Sequence, residues 1–495
     1  MSYPQIPPGG YHWVTPTAED PLPRKPKRTR RRILIGLALT VVVLFVISVF
    51  WWPWAPDRPH TASASVGTPK DMLIPFPLNR QPVPGWRVTP QDVGLAPDAT
   101  IGIMFASVGE RAYFVRNADG NGQLYGLNIT TGAPLFAAPV ELPGFQSFST
   151  ADCFTNGPTT ALCVSGPAYD APPGTPNQAW VIDLHTGTIT FTGTTELRLR
   201  GTSNMGDGPL LEAIGNHLGE THLVASIEGK GIYGVGSHAE LTWFVPGAGT
   251  LFIPDFKQAS DTPSQTLAVQ GPDPADPNGP WVVFSAVDGT VRTPTPPEGL
   301  TIDKAVVYTG GFAYQFQEPA KPAGVLFYDP EGNLLARVQP DANLIALDSA
   351  DTPVMWNQGT GEWQVYSTTG DLLVKIPATD LTTRFRTIGT KIYARVAGFG
   401  PEAKWQQWDL RTGQPGATCQ VELDNLGYVA SDGTTVIIHA WAGRTGAGSI
   451  DSAINMTTCH TEWETPQEAG RAIEKVGDNT LIQRSRTEIV SLQAP

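Results

Sequence analysis

The sequence lacks the short motifs that mark the most familiar catalytic centres. It contains no G-x-S-x-G nucleophile turn, no H-E-x-x-H zinc pair and no glycine loop of the kind that holds phosphate groups. The local evidence for a serine hydrolase, a zinc peptidase or a P-loop nucleotidase is therefore missing. This absence favours a binding or scaffolding role over catalysis, without deciding whether the protein is an enzyme.

Cysteine is scarce. The 495 residues include only four, Cys153, Cys163, Cys419 and Cys459, and no two of them are adjacent. All four follow the long apolar run described below, and an even number in an exported region predicts two disulfides. An Asn-Gly-Pro turn lies between Cys153 and Cys163 and brings their two strands side by side. We therefore predict a Cys153–Cys163 bond, which leaves Cys419 to pair with Cys459.

Basic residues are few outside the N-terminal tail. The chain has 33 Lys and Arg against 46 Asp and Glu, and residues 1–32 hold seven of the basic and two of the acidic residues. Residues 33–495 therefore have 26 basic and 44 acidic residues, a net charge of −18. An acidic surface of this kind argues against nucleic acid and anionic lipid head groups as partners.

A long run of uncharged apolar residues occurs at 33–52, "ILIGLALTVVVLFVISVFWW". A helix of that length spans about 30 Å, the thickness of the hydrocarbon core of a bilayer. A cleaved signal peptide usually has an apolar region of only about 7–15 residues. The preceding basic block places the N-terminus in the cytoplasm. We predict a disordered cytoplasmic Pro-rich and basic tail at 1–32, a single transmembrane helix at 33–52, and an extracytoplasmic remainder in the cell membrane.

The rest of the chain repeats one pattern. Residues 53–90 are rich in Pro, Ser, Thr and Ala and predict a linker. After it, a strand ending in an Asx- or Thr-Gly turn recurs every 40–50 residues or so, which indicates a propeller or solenoid. Glycine supplies the positive φ that such a turn needs. The turn glycines are Gly132, Gly187, Gly289, Gly332, Gly370 and Gly413.

Two further copies of the turn are irregular. Cys459 stands in the glycine position of "INMTTC", and a degenerate copy, "GIYGVGSHAELTWFV", lies in the double-length gap between 187 and 289. Each unit predicts four short strands in which apolar and polar residues alternate, as in "RFRTIGT", "KIYARVAG", "KWQQWDLRTG" and "QPGATCQV". Four such strands are the pattern of a propeller blade. Eight turns predict an all-β, eight-bladed propeller of four-stranded antiparallel blades over residues 91–495.

Seven blades are the alternative. The C-terminal stretch "RAIEKVGDNTLIQRSRTEIVSL" predicts three more strands, which could complete the ring together with the N-terminal "GWRVT". In that case one of the earlier units would be an insertion.

"IDLHTG" (182–187) and "WDLRTG" (408–413) resemble the PQQ-like propeller repeat, in which D-x-x-T-G precedes the last strand; "FSAVDG" and "YDPEG" are looser matches. The resemblance covers roughly residues 90–495 and implies a propeller, a fold shared by quinoprotein enzymes and pure scaffolds. The enzymes typically carry adjacent bonded cysteines and a carboxylate-bound Ca²⁺ beneath the quinone. Since this chain has no adjacent cysteines, we expect a non-enzymatic, membrane-anchored member without a cofactor.

Two clusters contain residue types that bind metals. "NHLGETH" places His217, Glu220 and His222 within six residues, which could ligate zinc. No fourth ligand is evident, so an exposed loop between strands is the alternative.

"NADGNGQ" places Asn117, Asp119 and Asn121 at alternate positions before a glycine, as in the first half of a Ca²⁺ loop. The same letters also make an ordinary hairpin turn.

These features favour an extracytoplasmic scaffold of the bacterial envelope that binds a protein or a glycan. One alternative is an envelope enzyme, carbohydrate-active or quinoprotein-like, whose site lies in the propeller funnel. The other is a sensor that recruits a partner through its cytoplasmic tail.

Overall fold

The computed structural model describes residues 66–495 except 119, 146–150, 168–171, 173–174, 201–207, 217–218, 253–260, 262, 340–343, 347–351, 378–383, 425–426, 442–448 and 468–469. The described residues form 35 strands in nine separate antiparallel sheets. The part of the chain that the structure describes also contains three short 3-10 helices: Lys70–Met72 precedes the first strand, and Pro90–Val93 and Gly400–Glu402 lie between strands.

Each sheet is one blade of a propeller, and the blades follow one another in chain order. A first strand, β1 (Val83–Val88), precedes blade 1. Blade 1 contains β2 (Ile103–Val108), β3 (Arg111–Ala118), β4 (Asn121–Asn128) and β5 (Val140–Leu142). Blade 2 contains β6 (Ala151–Thr155), β7 (Thr160–Ser165), β8 (Asn177–Asp183) and β9 (Thr188–Thr195). Blade 3 contains β10 (Leu210–Gly215), β11 (Thr221–Ile227), β12 (Gly231–Val235) and β13 (Leu241–Pro246). Blade 4 contains β14 (Thr250–Phe252), β15 (Leu267–Gly271) and β16 (Val282–Ser285).

The remaining blades complete the ring. Blade 5 contains β17 (Thr301–Tyr308), β18 (Gly311–Gln317), β19 (Gly324–Tyr328) and β20 (Leu334–Val338). Blade 6 contains β21 (Leu344–Ala346), β22 (Val354–Asn357), β23 (Glu362–Tyr366) and β24 (Leu372–Pro377). Blade 7 contains β25 (Phe385–Ile388), β26 (Lys391–Ala397), β27 (Lys404–Asp409) and β28 (Pro415–Gln420). Blade 8 contains β29 (Tyr428–Ser431), β30 (Thr435–Trp441), β31 (Ser449–Asn455) and β32 (His460–Gln467). Blade 9 contains β33 (Ala472–Val476), β34 (Thr480–Arg484) and β35 (Ile489–Gln493), with β1 as its outer strand.

The cores lie between neighbouring blades. Middle strands such as β7 are buried along nearly their whole length, whereas the outer strand β9 alternates between exposed and half-buried positions. Large side chains seven or eight residues before the turn glycines pack into these cores, and Trp180, Trp363 and Trp405 are almost fully buried there. Trp180 of blade 2, for example, packs edge-on against Phe145 at the end of blade 1, with ring centroids 5.8 Å apart.

The turn between the third and fourth strands has the predicted chemistry. The six repeat glycines have φ between 70° and 92°. In blade 2, the N–H groups of Thr186 and His185 donate to the Asp183 carboxylate and lower its pKa. Ala239 of blade 3 and Cys459 of blade 8 occupy the glycine position with φ of 56° and 59°.

The predictions of eight or seven blades are wrong, because the described residues form nine. Counting turns yields eight, since blade 9 has no turn between its third and fourth strands. The fourth strand of this blade is β1, which pairs with β35 from the other end of the propeller (Val83 opposite Gln493, Val88 opposite Ile489). The strand pairing of "GWRVT" with the C-terminal stretch is thus present, but as a ninth blade without an insertion.

Blade 4 departs from four strands. Its outer position is held by residues 290–293, where Arg292 N donates to Val283 O (2.8 Å) and Val291 forms an isolated bridge with Phe284. Pro294, Pro296 and Pro297 follow and cannot continue a ladder. The prolines therefore end this edge after a single short contact.

Residues 66–82, called the strap below, lie across the propeller on their way to β1. Thr68 N donates to Gly389 O (2.8 Å), Ile74 N donates to Ser431 O (2.8 Å), and Trp463 Nε1 donates to Leu78 O (2.9 Å). A Cβ at Gly67 would lie 2.0 Å from Gly389 O, so only glycine permits this approach. The strap is thereby attached to blades 7 and 8 before the chain enters blade 9.

The chain divides into two units, residues 1–63 and 64–495, and every described residue belongs to the second. Within the described residues, no helix has the length and apolarity needed to cross a membrane. The predicted transmembrane helix at 33–52 lies outside the described residues, so the structure does not support that part of the predicted fold.

The structure contains the disulfides Cys153–Cys163 and Cys419–Cys459, and no described cysteine is free. Cys153 and Cys163 lie opposite each other on β6 and β7. Cys419 lies on the outer strand of blade 7 and Cys459 in the turn of blade 8. The second bond therefore joins two consecutive blades.

We predict that removing the second disulfide lowers the free energy of unfolding by about 4 kcal/mol, since it closes a loop of 40 residues. The C419A/C459G variant should be about 1 kcal/mol more stable than C419A/C459A, because glycine tolerates φ near 59°. Denaturant unfolding of the three proteins measures both differences. Equal stability of the two double variants would show that the turn does not require positive φ.

Two truncations test the ring closure. A chain starting at residue 66 should keep the melting temperature of the propeller, because it retains the strap and β1. A chain starting at residue 89 lacks both, exposes the edge of β35, and should melt at lower temperature and aggregate. Calorimetry and light scattering distinguish them, and identical behaviour would contradict a closing role for β1.

Candidate functional site

Buried charges meet where the ring closes. Lys475 on β33 of blade 9 points toward Asp261, which comes from the connection between β14 and β15 of blade 4. Lys475 Nζ lies 2.6 Å from Asp261 Oδ1 and 2.5 Å from Met72 O of the strap, and the two side chains are only 1% and 4% exposed. One ion pair thus connects blade 4, blade 9 and the strap.

Blades 7 and 8 join the same network. The Tyr428 hydroxyl on β29 donates to Asp261 Oδ2. Burial, with the Asp261 charge as a second cause, raises the pKa of Tyr428 well above its usual value, so the phenol stays a donor. The Arg386 guanidinium lies 4.2 Å from the centroid of the Tyr428 ring, and its Nε donates to Leu423 O (2.8 Å).

We call Asp261, Lys475, Tyr428 and Arg386 the axial network. Both carboxylate oxygens of Asp261 accept hydrogen bonds within it. A carboxylate with its oxygens bonded in this way, beside a lysine with a partner on each side, is arranged to hold segments together. The axial network therefore acts as a structural connection.

A cavity lies on each side of this ion pair. One, of about 290 Å³, is bounded by Asp261, the strap and blades 5 to 7. The other, of about 200 Å³, is bounded by Lys475 and by residues of blades 1, 3 and 9, including Glu220 and Asp478.

A second buried pair joins blades 8 and 9. His439 on β30 and Asp451 on β31 lie opposite each other, with Nδ1 and Oδ1 2.6 Å apart. Asp451 is fully buried, and its other oxygen accepts from Ile473 N of β33 (3.3 Å). The carboxylate thus bridges a histidine of one blade and the backbone of the next.

The predicted zinc ligands are only partly described. Glu220 Oε1 lies 3.5 Å from His222 Nε2. Burial lowers the pKa of His222, against the opposing effect of Glu220, so the ring is neutral near pH 7. His217 lies outside the described residues. No group of three potential ligands occurs among the residues that are described, and the zinc site stays a prediction.

The predicted Ca²⁺ loop lies at the hairpin between β3 and β4. Asn117 pairs with Gly122 in the ladder, and Asn121 Oδ1 accepts from Gly144 N (3.0 Å). Asp119 lies outside the described residues. The described part is a tight hairpin, and Ca²⁺ binding there stays a prediction.

Sequence reasoning missed the axial network. One signal was present: Lys475 stands two residues before the glycine of its inner turn, where Ser107, Thr387 and Ser431 stand in other blades. A lysine where these three blades have a small hydroxyl side chain indicates a buried partner. The identity of that partner, 214 residues away, could not be read from the local pattern.

We predict that K475M lowers the free energy of unfolding by about 3–5 kcal/mol, because it leaves the buried Asp261 carboxylate without its cation. The D261L/K475M variant should recover most of this loss, since no unpaired charge remains. K404M, at an exposed position of β27, is the control and should change stability by less than about 0.5 kcal/mol. Denaturant unfolding measures all three; a double variant no more stable than K475M would contradict this description of the ion pair.

Comparisons with known proteins agree with the nine blades. A model of the family described as a conjugation-associated nine-bladed β-propeller domain matches residues 58–495. An uncharacterized protein of Mycolicibacterium smegmatis (strain MKD8) is 33% identical over 499 residues, which cover 94% of this chain and 97% of that protein.

Solved structures are more distant. BamB from Moraxella catarrhalis is 11% identical with a TM-score of 0.35, covering 83% of this chain and 97% of its own. Dihydro-heme d1 dehydrogenase NirN is 9% identical with a TM-score of 0.35, covering 79% and 81%. Likeness at this level carries no argument about function. The family match, in contrast, extends over the whole propeller. The chain belongs to the family of conjugation-associated nine-bladed β-propeller domains.

Proposed function

We propose that the protein is a membrane-anchored, extracytoplasmic scaffold of a DNA-conjugation apparatus, and that its propeller holds another protein of that apparatus. The observation that carries the proposal is the axial network, together with the family match. The charged groups of the axial network bond to one another and hold the blades together. Because they are used in this way, we expect binding to take place on the faces of the ring.

The family description supports the link to conjugation. A conjugation apparatus assembles many proteins around a DNA path, and a rigid ring with loop-bearing faces suits such an assembly. The acidic composition disfavours direct binding of the DNA itself, since the propeller would repel phosphate groups. A protein is therefore the partner we expect.

The two disulfides support the location outside the cytoplasm. Such bonds persist in oxidising compartments and are rare in the cytosol. The uncharged run 33–52 and the basic residues before it supply a matching anchor and orientation. On this proposal the linker and propeller are exported, and the tail before residue 33 stays inside.

Deletion of the gene in donor cells should reduce plasmid transfer to background, and a full-length copy should restore it. A copy lacking residues 1–52, expressed in the cytoplasm, should fail to restore transfer. Colony counts of recipients carrying the plasmid measure the effect, with recipient-only deletion as the matched control. Normal transfer from deleted donors would refute the proposed role.

The location is measured in the same cells. Protease added to spheroplasts should degrade the propeller and spare an N-terminal tag, because residues 53–495 lie outside the membrane on this proposal. A protected propeller with a lost tag would reverse the orientation.

A further inference from the structure

Blade 7 carries an aromatic side chain that is largely exposed. Phe399, in the loop between β26 and β27, is 72% exposed, the highest exposed fraction of any large apolar side chain among the described residues. Gly398 and Gly400 flank it with φ of 70° and 60°, and a Cβ at Gly398 would lie 2.5 Å from Glu402 O. The loop therefore requires glycine before the ring, and in this conformation it presents Phe399 to solvent.

Phe399 lies at the end of β26 that is opposite to the strap. The strap contacts blade 7 at Gly389, in the turn that precedes β26, whereas Phe399 comes after this strand. The strand has seven residues (Lys391–Ala397) and so separates the two points by about 20 Å. The strap therefore does not cover the ring.

A cation already lies against one face of the Phe399 ring. The Arg395 guanidinium carbon is 4.3 Å from the ring centroid. Arg395 is itself held in place, because its Nη1 donates to Asp424 Oδ2 (2.8 Å) and its side chain is only 9% exposed. Attraction between a guanidinium and an aromatic face favours this stacked arrangement. The orientation of the ring is thus set before any partner binds, which lowers the entropy cost of binding to its open face.

A carboxylate lies beside the same loop. Glu422 Oε2 would be 3.4 Å from a Cβ at Gly400, the residue after Phe399. Burial, with the charge of Asp424 as a second cause, raises the pKa of Glu422. A cation brought close by another molecule would favour the charged form of this carboxyl group.

Blade 7 does not supply that cation. In the part of the chain that the structure describes, neither Glu422 nor Glu402 forms an ion pair. Arg384 and Lys404 are exposed at the same end of the blade, and Lys404 stands on the face of the sheet opposite to Arg395. The two glutamates are therefore available to a cation from another molecule.

We propose that the open face of Phe399 receives a lysine or arginine side chain from a basic segment of the partner protein. The ring attracts the cation over its face, and Glu422 beside the loop pairs with the same group. The net charge of −18 on residues 33–495 attracts a basic partner over a longer distance. The inference rests on the proposed role as a protein-binding scaffold.

The probe is the peptide acetyl-Gly-Arg-Gly-amide, titrated onto the full-length protein in detergent by saturation-transfer NMR. The matched control replaces arginine with citrulline, which has nearly the same shape and no charge, and should bind about three- to thirtyfold more weakly. Acetyl-Gly-Phe-Gly-amide tests an apolar occupant. Equal binding of the arginine and citrulline peptides, or tighter binding of the phenylalanine peptide, would overturn the proposal.

Two variants locate the binding. F399L keeps an apolar side chain but removes the ring, and should weaken binding of the arginine peptide about two- to fivefold. E422Q removes the charge beside the loop and should weaken it by a similar factor. F244L makes the same substitution at an exposed phenylalanine of blade 3 and should leave binding unchanged. Unchanged binding to F399L, or an equal loss in F244L, would contradict the assignment to this ring.

Plasmid transfer tests the use of this surface by the partner. F399K removes the ring and adds a charge that repels a cation, so donors with this variant should transfer poorly. F244K donors carry the same change in blade 3 and should transfer normally at equal protein levels. Normal transfer from F399K donors would refute this role of Phe399. If deletion of the gene leaves transfer unchanged while the peptides bind as expected, the proposed function fails and the binding surface stands.

Discussion

The antiparallel pairing of β1 with β35 joins the two ends of the propeller, and the closed ring depends on it. Val83 lies opposite Gln493, and Trp86 N donates to Ser491 Oγ across a sequence separation of 405 residues. The entropy cost of closing a loop grows only logarithmically with its length, so this separation adds little once the blades between the ends are packed. The pairing also removes an open sheet edge, which would otherwise invite association with other chains.

Ring closure brings together the charged residues of the axial network. Lys475, Asp261 and Met72 belong to blade 9, blade 4 and the strap, and they meet only because β1 brings the N-terminal segment to the last blade. Taking both charges out of water is costly, and their mutual attraction and hydrogen bonds offset that cost. Because these groups are bonded to each other, the proposed function assigns binding to the loop-bearing faces of the propeller.

The turn between the third and fourth strands requires a residue with positive φ, and different blades meet this requirement with different residues. Most blades place glycine there, whereas blade 8 places Cys459 at φ 59° and gains a bond to Cys419 of the preceding blade. The unfavourable backbone conformation costs about 1 kcal/mol, less than the stabilisation of about 4 kcal/mol that closing a loop of 40 residues contributes. The same turn in blades 4 to 6 precedes the exposed side chains of Val291, Leu334 and Leu372.

The sequence by itself determined the all-β class, the four-strand unit, the turn glycines and the pairing of the cysteines. These follow from alternation and turn chemistry, which act over a few residues and are therefore visible in one chain. Only the tertiary structure decided the number of blades, because the ninth blade is assembled from both ends of the propeller and has no turn between its third and fourth strands to count. It also decided the axial network. Asp261 and Lys475 carry no shared motif, and they become neighbours only when nine blades close around an axis, since the curvature that brings them together belongs to the whole ring.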